Sequence, residues 1–355
     1  MKLINIEISI KESNKVNSNE WINIINLINL FPNDVKRSHE LNYYKNKLNK
    51  SPYGNSYIVR AMSDKNICLG LLTFTSNSIT NDKKIDKAFE MGDAYVHKEL
   101  EGRMVFSKMM KKGIAFISEN YPYSIIYATP NKKSLPWEIR NGFKIIDFNI
   151  EQRIMPLNFK NIYKSNLKRI LLYPLSKLWI LFFKNYLRFF VLKKKCSFFC
   201  CKKIDDLPNN FKSNNDIEFK KSKSYLQWRY ENNPEKYDIY GLNYNNEFAG
   251  YAILKKENFN HMPALYLADI YFDPKYKKYY NAILAKLLLS YELDKFSYIS
   301  TWISLKSVYW PYLKKILPIK IKDIVFVINK RVAPLNYFVL NNKKIHFVMG
   351  DSDNI

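Results

Sequence analysis

The chain has 355 residues, 47% of them apolar and 16% aromatic, a composition that can bury large cores and has room for roughly two domains of ordinary size. Its 9 glycines are widely spaced, so G-x-G-x-x-G, G-x-x-x-x-G-K-S/T and G-x-S-x-G cannot be written anywhere, which excludes the usual glycine-rich nucleotide loops and the serine-hydrolase elbow. Lys+Arg 57 against Asp+Glu 32 gives a net charge of +25, part of it the background of a sequence rich throughout in Lys, Asn, Ile, Tyr and Phe, as A/T-rich coding produces.

Residues 1–8 alternate as a strand does, and Glu7 stands where a signal peptide would be apolar. Four cysteines and four scattered histidines make no metal-ligand pattern, so reduced thiols, no metal and a cytoplasmic compartment are expected. Lys47 stands five residues before Pro52. Strand-like runs follow at 56–59 and 70–73, the second opened by Gly70, then a strand opened by Asp93, a helix-period segment from Val105 and a strand at 124–128.

From Arg153 to Lys203 there are 13 basic residues and no acid. Within this stretch Lys177, Lys184, Arg188 and Lys195 are spaced by 7, 4 and 7 residues, which at ~100° per residue gathers them into a narrow arc with Leu181 as the apolar intruder. The rest is Leu, Ile, Phe, Trp and Tyr. Lys177, Lys184 and Arg188 interrupt any membrane span, and two readings remain: a helix lying on an anionic membrane at the inner face, or a wedge between domains.

Beyond residue 205 the earlier order returns. Arg229 stands five before Pro234, strand-like runs follow at 237–240 and 250–253 with Gly250 opening the second, and Asp269 opens a strand that leads to a helix at 282–288 and a strand at 298–302. These ordered matches predict a duplicated α/β unit with mixed α+β sheets. The domains expected are residues 1–155 and 205–355, joined by a basic, aromatic, amphipathic helical linker at 156–204. Lys47 and Arg229 are expected as helix-end cations on aromatic patches, and Gly350-Asp351-Ser352-Asp353 as a frayed acidic tail.

The segment from Asp93 to Phe106, read as strand, loop and helix, resembles the acyl-CoA loop of the GNAT superfamily of N-acyltransferases, whose usual pattern is Q/R-x-x-G-x-G/A. Asn131 with the short helix after it, and the strand opened by Gly142-Phe143, resemble the same superfamily. The match is partial: Gly102 is kept, Glu99 replaces the usual Gln or Arg, and Met104 replaces the small residue. In the second copy residues 274–280 hold no glycine, so that copy reads as degenerate, its lysines suited to an anionic acceptor.

The resemblance implies acetyl-CoA or another acyl-CoA as substrate, its pyrophosphate on Gly102, Arg103, Val105 and Phe106, with Asn131 also in the binding site. It further implies a thioester oxygen held by the Val96 backbone N–H, and Asp93 as general base with His97 second. The superfamily's tyrosine acid has no counterpart at 134–137, which leaves Tyr127 or water. The acceptor expected is a small-molecule or lipid-linked amine, such as an amino sugar of a surface polysaccharide pathway. Two alternatives stand beside it: a Fem-type transferase using aminoacyl-tRNA, which would explain a basic chain, and a non-catalytic membrane-surface or partner-binding protein.

Overall fold

The computed structural model describes residues 5–31, 41–81, 84–158, 166–208, 211, 215–259, 262–329 and 343–352. In the first half, β1 (Ile6–Glu12) is followed by α1 (Ser18–Ile28) and α2 (Leu41–Asn49), then β2 (Tyr57–Ser63), β3 (Cys68–Asn81) and β4 (Lys84–Val96). Next come α3 (Val105–Asn120), β5 (Ile125–Ala128), α4 (Leu135–Arg140) and β6 (Phe143–Pro156). The long α5 (Asn166–Val191) leads to β7 (Cys196–Cys200), β8 (Ile217–Phe219) and α6 (Lys223–Leu226). The second half continues with β9 (Asp238–Tyr244), β10 (Glu247–Phe259), β11 (Met262–Phe272), α7 (Tyr280–Leu288), β12 (Tyr298–Ser304), α8 (Trp310–Ile316), β13 (Ile319–Asn329) and β14 (Ile345–His346).

Among the described residues 14 strands join one sheet, in the order β1-β2-β3-β4-β5-β13-β6-β12-β11-β10-β9-β7, with β8 on β3 and β14 on β8. The centre departs from chain order. β13 lies antiparallel between β5 and β6, while β6 lies antiparallel between β13 and β12. β6 and β13 are therefore each inserted among strands of the other half.

The two halves share a register. Gly70 pairs with Val96, three residues after Asp93, and Gly250 pairs with Phe272, three after Asp269. Each partner strand bulges beside its aspartate: Asp93 and Ala94 both face Leu72, and Ala268 is the extra residue opposite the Ile253–Leu254 step. Asp93 takes left-handed φ, at 45°, to make that kink.

Four clusters cover the sheet. Met109, Met110, Ile114 and Ile117 on α3 pack on β2, β3 and β4, each burial worth roughly 1.5–3 kcal/mol. α1, opened by a capping box of Asn17 and Glu20, and α2 cover the opposite face of the first half. α5, α7 and α8 cover the second half, and a large aromatic cluster fills the space between the halves. There Asn46 and Trp228 exchange hydrogen bonds through side chain and backbone, at 3.1 and 2.9 Å, tying α2 to the residues after α6.

α5 packs by Ile180, Phe183 and Leu187 on the second half, beside α7. Within 196–200 the chain is a strand, β7, which extends the sheet edge along β9. Among the described residues no helix is long and apolar enough to cross a membrane.

Candidate functional site

β4 and β5 are parallel neighbours for only three residue pairs, ending at Glu90 and Tyr127. β4 then runs on to Val96 whereas β5 stops at Ala128, so the strands part. His97 N–H donates to the Leu69 carbonyl at 2.8 Å, and the alternation of an antiparallel ladder turns the intervening Val96 N–H away from β3, toward the gap. Past the gap, a short 3-10 turn (Lys98–Leu100) leads to Gly102 at φ 77° and Met104 at φ 56°, two left-handed residues that swing the chain into α3.

No side chain caps α3, whose first turn also lacks acids, so its leading N–H groups and dipole face outward at the end of the gap. A Cβ on Gly102 meets nothing within 4 Å, so the glycine serves conformation rather than clearance. Val105 is buried, Arg103 and Phe106 are half-buried, and Gly102 is exposed.

The other candidates carry local bonds. Asp93 is ion-paired with Lys47, and its Oδ2 also accepts from Thr73 Oγ1 at 3.0 Å; the two charged side chains are 9% and 3% exposed. Lys47 does end α2 beside Tyr43 and Tyr44, and the structure adds this carboxylate as its partner. His97 Nδ1 accepts from Glu99 N–H at 3.3 Å, capping the 3-10 turn. Asn131 Oδ1 accepts from the N–H groups of Lys133 and Ser134, at 2.8 and 2.9 Å, shaping the entry to α4. The Tyr127 hydroxyl, fully buried, receives a bond from Asn77 Nδ2 at 2.9 Å.

Sequence reasoning missed Glu138. It lies on α4, 4% exposed, with Oε2 buried and lacking a hydrogen bond among the described residues, and burial pushes its carboxyl up to about 7 despite a bond from Ser134. Its short helix carries no pattern that distinguishes a buried glutamate from a surface one.

The equivalent gap in the second half is occupied. β11 and β12 part after Tyr266 and Ser300, and the end of the chain enters between them, with Val348 bridging to Ile303. Lys221 Nζ bonds Asp269 at 2.9 Å and also pairs with Asp351; Tyr230 Oη donates to Asp269 at 2.8 Å and Tyr225 Oη to the Gly350 carbonyl at 3.1 Å. Burial pushes Asp351 up to about 6, and the Asp269 carboxylate adds to that rise against the pull of Lys221.

Residues 350–352 are thus buried rather than frayed, because Lys221 and Arg229, which bonds the Ser352 carbonyl, draw them in. Asp353 lies outside the described residues. Arg229, expected on an aromatic patch at a helix end, donates to the Ser352 carbonyl, while the cation that pairs with Asp269 is Lys221. Ser352 Oγ also lies 2.7 Å from Thr129 Oγ1, just beyond β5 of the first half.

Solved structures share this architecture at low sequence identity. A protein of unknown function from Enterococcus faecalis V583, described as a probable N-acyltransferase, is 11% identical with a TM-score of 0.59, over 94% of this chain and 74% of its own. A GCN5-related N-acetyltransferase from Anabaena variabilis ATCC 29413 is 10% identical with a TM-score of 0.53, over 91% and 72%. The N-myristoyltransferase of Saccharomyces cerevisiae, solved with bound myristoyl-CoA and inhibitors, is 11% identical with a TM-score of 0.58, over 93% and 81%. No protein-family model matches the chain, and no curated protein is similar to it in sequence.

Proposed function

On the GNAT-superfamily fold that these likenesses establish, we propose that the chain transfers an acyl group, acetyl in the first instance, from acyl-CoA to an amine at the first β4/β5 gap. One observation carries this reading: β4 and β5 part after Glu90 and Tyr127 and the loop beyond β4 leads to the uncapped start of α3, whereas residues 348–352 enter where β11 and β12 part in the second half. In this reading the pyrophosphate rests on the N–H groups of Val105 and Phe106, with Gly102 shaping the loop and Arg103 adding charge; Asn131 stands beyond β5 on the far side of the gap. The Val96 N–H polarises the thioester carbonyl.

The acceptor ammonium must lose a proton before its nitrogen attacks the carbonyl carbon and the C–S bond breaks. Asp93 takes that proton on Oδ1, since Lys47 and Thr73 occupy Oδ2; His97 is the second candidate. Tyr127, whose oxygen accepts from Asn77, or water protonates the departing thiolate. The acceptor in this reading is an amino sugar, free or lipid-linked.

Thermal-shift titration with acetyl-CoA tests the proposal. Stabilisation of the wild type that is lost in Gly102→Asp and kept in Lys277→Glu supports it. Normal binding in Gly102→Asp, with loss in Lys277→Glu, would move the site to the other half.

A further inference from the structure

α5 offers solvent a second apolar face. Its buried side is set by Ile180, Phe183 and Leu187, yet Leu175, Leu178, Leu181, Phe182, Phe189 and Leu192 are between 53% and 72% exposed. At helical spacing 175, 178, 182, 189 and 192 fall within about 100°, opposite the buried side. Lys177, Lys184 and Arg188 run along the border between the two faces, and Lys193, Lys194 and Lys195, the last expected on the same stripe, follow beyond the end of the helix at Val191.

Little opposes these cations. α5 carries no acid, Asp294 reaches Lys184 at 3.6 Å from the turn packed beside it, and Glu292 in that turn is paired with Lys295. Near the C-terminal end of α5, Arg188, Lys193 and Lys286 line a groove of about 680 Å³. The packed helix is therefore neither a wedge covered on all sides nor an ordinary solvated surface helix, whose outer face would be polar.

We infer that this face of α5 docks on an anionic lipid bilayer, the helix lying along the surface with Leu178, Phe182 and Phe189 inserted and the lysines and Arg188 on the headgroups. Charge complementarity selects this occupant: a continuous cationic border beside an apolar stripe suits a surface that is anionic at headgroup depth and apolar just below. The inference is independent of the acyl-transfer reading, because it uses no residue of the β4/β5 gap.

Sedimentation with phosphatidylcholine vesicles and with 1:1 phosphatidylcholine–phosphatidylglycerol vesicles at low salt tests it. The wild type should pellet with the anionic vesicles alone. Lys177→Glu/Arg188→Glu should weaken partitioning by more than 10-fold, at about fivefold for each cation lost, and Phe182→Ser/Phe189→Ser should weaken it similarly. These side chains are exposed, so unchanged thermal midpoints in both variants keep the comparison free of unfolding. Lack of sedimentation, equal binding to neutral vesicles, or variants that bind as the wild type does would each overturn the inference. So would a wild-type dimer in light scattering that Phe182→Ser/Phe189→Ser converts to monomer, since a second copy would then cover the face.

Discussion

Lys47 and Asp93 are ion-paired and each nearly buried, so removing one takes from the other the charge that it faces. Lys47→Met should cost about 3–5 kcal/mol in chemical denaturation, and Asp93→Asn in the same background should recover part of that loss. If Asp93 also serves as base, Asp93→Asn alone should lower kcat by two orders of magnitude or more while acetyl-CoA affinity holds, a split that a purely structural carboxylate would not give. Glu138 gives a pH prediction. Its carboxyl ionises near 4.5 in the unfolded chain and near 7 in the folded one, so folding weakens as pH rises between those values. Glu138→Gln should therefore stabilise the protein by about 3 kcal/mol at pH 8 and little at pH 4, measured by urea unfolding. Both members of the Lys47–Asp93 pair stood out in the sequence, one by its place before Pro52 and one by its strand. Their contact did not, because it joins the end of a helix to a bulge 46 residues away.

α3 and the chain terminus show what each half does with the same gap. Asparagine and aspartate both tolerate left-handed backbone, so Gly102→Asn and Gly102→Asp differ mainly in charge at the start of α3. Calorimetry should find acetyl-CoA affinity near wild type for the first and at least 10-fold lower for the second. At the other gap, a Cβ on Gly350 would collide with the Tyr230 hydroxyl and meet the Ala268 carbonyl at 3.1 Å. Gly350→Ala should destabilise by about 1–3 kcal/mol, and Tyr230→Phe should return part of it by removing the obstructing oxygen. The acyl-CoA-like loop was readable because glycine, strand and helix stand within one short stretch. The plug was not: Gly350-Asp351-Ser352 resembles any acidic end until Lys221, 130 residues earlier, is brought beside it.

In the whole molecule, laying the chain over itself matches Gly70 with Gly250 and Asp93 with Asp269, and in the sheet each glycine pairs with the residue three after its aspartate. The exchange of β6 and β13 could not be read that way. Both strands follow the same short helix in their halves, and periodicity reports that a segment is extended without reporting which neighbour it joins. Residues 1–158 expressed alone should be insoluble, since β5 and β6 would keep open edges; coexpression with 166–355 should return a soluble complex that copurifies. The exchange also sets a clock on synthesis. Tyr127 finds its β13 partner, Ile328, only about 200 residues later, which at 5–20 residues per second is a delay of about 10–40 s. During that interval the nascent first half leaves the ribosome with a bare hydrogen-bonding edge, and it must be shielded by a chaperone or by slow collapse until the last tenth of the chain arrives.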